Sequence, residues 1–214
     1  MTEILPADSP KSIRRARQLL REGDVVAFPT DTLYGLGANA FERFAVRQIF
    51  EIKQRPPDKA LPVFIYQIDD LNQVARHVPN RAWSLLTQFW PGALTVVLPK
   101  NPKLPDDVTA GQNTVAVRVP DHAVCLDLVI ELGRPLAVTS ANLSGYANPT
   151  TAQEVVEQLG PRLPLILDGG PLTTGLASTI IDLSIDPPRL LRQGPVSLAE
   201  LREYLPDLQG DDNR

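Results

Sequence analysis

The chain has 214 residues, Lys+Arg 21 against Asp+Glu 25 and a net charge of −4. It is long enough to bury roughly 70% of its unfolded surface without staples, and it carries no global cationic field for nucleic acid, which leaves only a local basic patch. One cysteine, Cys125, excludes an intrachain disulfide, and with only His77 and His122 as histidines a Cys/His zinc site lacks ligands.

The same cysteine usage fits a reducing, cytoplasmic home. No apolar run approaches the ~18 residues of a membrane span, and no apolar stretch follows Arg14 and Arg15 as a signal peptide requires. In chain order, Ser9-Pro10 reads as an N-cap with proline at the first helical position, and Ile13, Ala16, Leu19 and Leu20 recur at helical spacing until Gly23 closes the helix. A short apolar strand at 25–29 follows, then the loop TDTLYGLGANA. A helix is expected over 42–53 on the spacing of Ala45, Val46, Ile49, Phe50 and Ile52. Pro56 and Pro57 break the segment KQRPPDKA, and 61–66 is a second strand.

Helical patterns fill 69–89 with a break near Pro79, and His77 falls within them. The strand ALTVVLP, a polar loop KNPKLPDDVTAGQN and the strand TVAVRVP come next. A helix over 122–132, the strand LAVTS, the loop ANLSGYANP, a helix over 151–159 and the strand LPLIL follow. STIIDLS and RLLRQG read as two more strands, and SLAELREYL as a last helix capped by Ser197. The alternation predicts a single α/β domain over 1–208, a mixed sheet flanked by helices, with a polar acidic tail at 209–214.

Several signals exclude chemistry. There is no GxxxxGK[ST], no GxSxG and no HExxH. Gly35-Leu-Gly37-Ala-Asn-Ala40 formally matches GxGxxA, but TDTLY separates it from the preceding strand, and Asp58 lies in a proline loop. A dinucleotide fold needs the glycines directly after the strand, so they are read as permitting a tight, ligand-free turn. His77 and His122 have structural or surface positions, and Cys125 sits at an apolar helix position.

The positive signal is a set of cations and hydroxyls. Arg55 precedes a proline and is biased to extended geometry, where i and i+2 share a face, so Lys53 and Arg55 are expected to present two cations to one anion with Lys59 nearby. The alternative is a solvated charged loop. In TVAVRV, Val115, Val117 and Val119 take one face and Thr114, Ala116 and Arg118 the other. An inward arginine needs a partner: either a structural carboxylate or an anionic ligand. Ser140 and Asn142, again at i and i+2, end one strand, and Thr30, Asp31 and Thr32 end another, each equally able to form a turn. The chemistry is that of electrostatic catalysis on a phosphoanhydride or of anion binding.

Taken together, PTDTLYGLGANA, KQRPPDKAL, WPGALTVVLP, TVAVRVPDH, TSANLSG, STIIDLS and LLRQG resemble the Sua5/YciO/YrdC family over nearly the whole chain, in its short, TsaC-like form. The resemblance implies a twisted mixed sheet with helices around a positively charged cavity, and a threonylcarbamoyl-AMP synthase. Such an enzyme joins L-threonine, bicarbonate or CO2 and ATP into threonylcarbamoyl-adenylate and pyrophosphate, the precursor of N6-threonylcarbamoyladenosine in tRNA. Transfer falls to a separate complex, and weak tRNA binding is allowed.

The family signature places Lys53, Arg55, Ser140 and Asn142 at the nucleotide, with Lys53 and Arg55 as the catalytic cations. By the same resemblance Lys59, Thr114, Asn148 and Arg192 also bind ATP, and Thr32, Arg118, Val138 and Ser178 bind L-threonine. Phe64 stands where long members often have histidine. Mg²⁺ is expected to ride on the ATP phosphates, because no carboxylate cage is evident. Three readings compete: an RNA-binding module without turnover, the carbamoyl-adenylate chemistry of hydrogenase maturation, whose extra regions do not fit in 214 residues, and the YciO branch of the same family.

Overall fold

Four consecutive buried residues, Val26 to Pro29, form a strand with no solvent face, as in a sheet covered on both sides. That sheet is the frame of the computed structural model, which describes residues 2–173 and 175–210. Its strands are β1 (Glu3–Pro6), β2 (Val26–Pro29), β3 (Tyr34–Asn39), β4 (Val63–Phe64), β5 (Leu94–Pro99), β6 (Thr114–Arg118), β7 (Leu136–Ser140), β8 (Leu165–Asp168), β9 (Thr179–Asp182) and β10 (Arg189–Arg192). The helices are α1 (Pro10–Glu22), α2 (Arg43–Lys53), α3 (Leu71–Val74), α4 (Ala82–Phe89), α5 (Asp106–Thr109), α6 (Ala123–Leu132), α7 (Ala152–Leu159) and α8 (Leu198–Tyr204).

The ten strands run in the order β1-β8-β2-β3-β7-β4-β6-β5-β9-β10. Parallel pairs (β1/β8, β2/β8, β4/β6, β5/β9) are combined with antiparallel ones (β2/β3, β3/β7, β4/β7, β5/β6, β9/β10). The sheet is therefore mixed, as the strand-rich end of the sequence suggests. None of the helices among the described residues is long and apolar enough to cross a membrane.

Side-chain alternation splits the interior into two apolar layers. One layer joins Ala27, Leu36, Val96, Val117 and Ile181 to Val46 and Ile49 of α2 and to Val155 of α7. The other joins Val26, Phe28, Val138 and Leu165 to Leu19 and Leu20 of α1 and to Leu128 of α6. Over β5, β6 and β9 the second side carries Thr95, Val97, Ala116 and Ile180, which belong to neither layer and border a cavity.

Helix ends follow local chemistry. Gly23 closes α1 at φ 88. Ser197 caps α8 as expected, and Thr151 caps α7, each in a reciprocal capping box with the glutamate three residues on. Ser9 precedes Pro10 at the start of α1, although its hydroxyl makes no capping bond.

Several expectations need correction. The loop TDTLYGLGANA contains β3, paired on both sides by β2 and β7. Its glycines serve contact with a neighbour: a Cβ at Gly37 would lie 2.7 Å from the Phe28 ring, so the turn reading fails and the exclusion of a dinucleotide loop stands. An N-terminal strand, β1, pairs with β8 although its four residues EILP end in proline. The loop KNPKLPDDVTAGQN holds the single turn α5, and His77 lies in irregular chain between α3 and α4. At the start of the expected polar tail, Leu190 N donates to Gln209 O and Gln209 N to Pro188 O. Positions 211–214 lie outside the described residues.

Candidate active site

The cavity has a volume of about 340 Å³, and its walls come from β2–β3, the chain before β4, β5, β6, β7 and β9–β10. Eight of the twelve residues singled out from the sequence line it: Thr32, Arg55, Arg118, Val138, Ser140, Asn148, Ser178 and Arg192. Among the described residues, the lining contains three guanidinium groups and no Asp or Glu. An anion entering it meets no like charge from the wall.

Arg118 answers part of the question its strand position raised: it has a structural carboxylate, Asp31, as partner. It is 3% exposed. Its Nε donates to Gly92 O at 2.8 Å, one terminal nitrogen to Thr32 Oγ1 at 3.1 Å and the other to Asp31 Oδ2 at 2.5 Å. The Phe64 ring lies 5.7 Å from the guanidinium carbon, so Phe64 packs against the cation. A guanidinium has five N–H donors. The three recorded bonds leave two for a ligand. Burial lowers the Arg118 pKa, and Asp31 works against that shift. The carboxylate fixes the arginine in place, and the arginine lines the cavity.

Thr32 belongs to a hydroxyl cluster at the end of β2. Thr30 Oγ1 lies 3.0 Å from Thr32 Oγ1, donates to Leu33 O at 2.7 Å and accepts from the amides of Thr32 and Leu33. On the far wall Arg192 grips Ser178 twice. Its Nε donates to the Ser178 carbonyl at 2.9 Å and a terminal nitrogen to Ser178 Oγ at 3.2 Å. Burial and the nearby Arg118 charge both lower the Arg192 pKa. Arg55 donates to Ala60 O at 3.1 Å, and burial likewise lowers it.

The expectation that Lys53 and Arg55 face one anion is corrected. Lys53 is the last residue of α2, and Gln54 turns left-handed at φ 51, so the two are not successive same-side positions of an extended strand. Lys53 is 1% exposed and does not line the cavity. Its Nζ donates to Ser140 O at 2.5 Å, Asn142 O at 2.6 Å and Asn142 Oδ1 at 3.1 Å. Burial, with Arg55 added, lowers its pKa to about 7. The three acceptors pull the other way, because only an ammonium has three protons for them. Asn142, 5% exposed, also donates to Leu143 O and Tyr146 O and stays beneath the lining. Lys59 is exposed, and Thr114 opens β6 ahead of the lining residues Ala116 and Arg118.

Sequence reasoning missed Thr95, Thr139 and Tyr34, which also line the cavity. Thr95 had a usable signal, a hydroxyl in the apolar strand ALTVVLP. Among the described residues no group of three or more His, Cys, Asp or Glu could hold a metal ion.

The comparisons with known proteins agree with this geometry. The family model Sua5_yciO_yrdC, described as telomere recombination, matches residues 18–194. The chain is 45% identical over 197 residues to the threonylcarbamoyl-AMP synthase of Pyrococcus abyssi, covering 92% of this chain and 58% of that one. It is 44% identical over 212 residues to the threonylcarbamoyl-AMP synthase of Bacillus subtilis, covering 99% and 61%. It therefore spans about three fifths of the length of these two relatives. The crystal structure of Pyrococcus abyssi Sua5 complexed with L-threonine superposes with a TM-score of 0.94 at 42% identity, over 97% of this chain and 63% of that one. With the match spanning most of its length and the cavity assembled from the same blocks, the chain belongs to the Sua5/YciO/YrdC family.

Proposed function

We propose that the chain is a threonylcarbamoyl-AMP synthase, converting L-threonine, bicarbonate or CO2 and ATP into threonylcarbamoyl-adenylate and pyrophosphate. The observation that carries this reading is a cavity with three arginines, a set of hydroxyls and no carboxylate in its lining. Two anions, an amino-acid carboxylate and a polyphosphate, need such a site. The structural neighbour complexed with L-threonine supports the choice of amino acid.

The roles are those the family resemblance implies, and the geometry supports them. The two spare N–H groups of Arg118 take the threonine carboxylate, with Thr32, Ser178 and the backbone at Val138 around it. Arg55, Arg192, Ser140 and Asn148 receive the nucleotide from the cavity wall, and Lys59 and Thr114 approach it from outside. Lys53 and Asn142 act beneath the surface by fixing the Ser140 loop. The threonine amine adds to CO2 with loss of a proton, or to bicarbonate with loss of water, and gives a carbamate. A carbamate oxygen attacks the α-phosphorus and pyrophosphate leaves. The work of the site is to hold two anions in register, so positioning and fixed cations outweigh a general base.

Mg²⁺ supplies charge neutralisation when it enters on the ATP phosphates. The donor set supports that route, because the lining offers hydroxyls and guanidiniums but no carboxylate. The product is an activated acyl donor, and a transferase acting on tRNA adenosine would consume it. Pyrophosphate release, measured with each of ATP, Mg²⁺, bicarbonate and L-threonine omitted in turn, tests the reading. Release that requires all four is expected. Salt-sensitive tRNA binding with no release would replace the enzyme by an RNA-binding module.

A further inference from the structure

Thr95 is 1% exposed, lines the cavity from β5, and has no role in the reaction as described above. Its Oγ1 lies 2.8 Å from Ser178 Oγ, and either atom can be the donor. Ser178 Oγ also accepts from Arg192 at 3.2 Å. These are the side-chain hydrogen bonds of the two hydroxyls among the described residues. The pair owns two hydroxyl protons, and the bond between them uses one. Whichever way that bond runs, one proton has no protein acceptor. A buried hydroxyl proton with no acceptor is costly, and this one borders a cavity.

The surroundings of the pair decide what it meets. Thr95 and Val97 share a face of β5, Ile180 is the register partner of Thr95, and Ala116 is the partner of Val97. All four line the cavity. The floor is therefore one hydroxyl pair set beside three small or branched apolar side chains. A ligand group that fits it has an acceptor oxygen and a methyl on the same carbon.

We propose that Thr95, through its bond with Ser178, is a specificity-determining residue that reads the side-chain hydroxyl of the amino-acid substrate, while Val97, Ala116 and Ile180 receive the methyl. The proposal rests on the synthase reading and extends it to the selection of a β-hydroxy amino acid over its deoxy analogue. Arg192 holds Ser178 by two bonds, so Ser178 is oriented from the opposite side and Thr95 sets the proton direction. A site built around a substrate hydroxyl discriminates strongly against the analogue that lacks it, because its own polar groups are then left unpaired.

The test compares L-threonine with L-2-aminobutyrate, which lacks only the hydroxyl, in pyrophosphate release by the wild-type chain, Thr95→Val and Thr95→Ser. Thr95→Val keeps the shape and removes the hydroxyl. It is expected to lower kcat/KM for L-threonine by about 10- to 100-fold and to leave the value for L-2-aminobutyrate within about twofold. Thr95→Ser should restore most of the threonine preference. Because the two substrates are compared in the same preparation, a partly folded variant cancels from the ratio. An equal fall for both substrates, or an unchanged threonine preference in Thr95→Val, overturns the proposal and leaves the synthase reading standing. No threonine-dependent release by the wild-type chain overturns the synthase reading and the proposal together.

Discussion

Replacing Lys53 by methionine keeps the length of the side chain and removes the ammonium. Three acceptor oxygens then lose their donor: the carbonyls of Ser140 and Asn142 and the Asn142 side chain. Each hydrogen bond from a charged group contributes about 1.5–3 kcal/mol, and several kcal/mol of ammonium desolvation oppose the sum. The net loss should be about 3 kcal/mol. With a urea slope of about 2 kcal/mol/M, the unfolding midpoint falls by about 1.5 M. Circular dichroism in urea measures it.

The pH dependence adds a second reading. The folded-state pKa of Lys53, about 7, lies below the ordinary 10.5. Between those values the unfolded chain binds the extra proton, so wild-type stability rises with pH across that window. Lys53→Met has no such rise, and the gap between the two proteins widens from neutral to alkaline pH. An unchanged midpoint together with lost ATP binding would refute the reasoning, because it would place the ammonium on the nucleotide and not beneath the Ser140 loop.

Arg55→Ala removes a cavity cation and should reduce threonine-dependent pyrophosphate release by about 10²–10³, with an unfolding midpoint close to wild type. Tyr34 donates to Gly170 O and accepts from Gly169 N, and burial raises its pKa to about 12. The unfolded chain loses that proton first, so stability falls as pH rises from about 10 to 12; Tyr34→Phe lacks this fall and loses about 1–2 kcal/mol at neutral pH. Gly37→Ala brings a methyl carbon to 2.7 Å and 2.9 Å from the Phe28 ring; thermal unfolding should show a loss of about 1–3 kcal/mol, which Phe28→Leu in the same chain partly restores.

Elements whose sequence pattern matches a single physical demand were legible. The buried residues of α1, Ile13, Ala16, Leu19 and Leu20, recur at the helix period and were read correctly. β6 alternates as expected, with Val115 and Val117 buried in one layer and Ala116 and Arg118 at the cavity. β3 was not legible, because YGLGAN has two glycines and no β-branched residue, and what makes it a strand is pairing with β2 and β7. β1 gave too short a signal for the same reason of scale.

At the site, residue types pointed to anion chemistry, and eight of the twelve residues named from the sequence line the wall. The direction of Lys53 was lost because one left-handed residue, Gln54, rotates the chain between the two cations. No local pattern reports that rotation. The Thr95–Ser178 pair joins positions 83 apart in sequence, and only the register of β5 against β9 brings them together.

The order of the strands also has a bearing on how the molecule is made. Arg118 and Thr32 come from the first 118 residues of the chain, while Ser178 and Arg192 come from a later segment, whose strand β9 pairs with β5. A ribosome adds about 5–20 residues per second, so Arg118 is made several seconds before Arg192. A product that stops before Ser178 lacks β9 and β10 and with them one wall of the cavity.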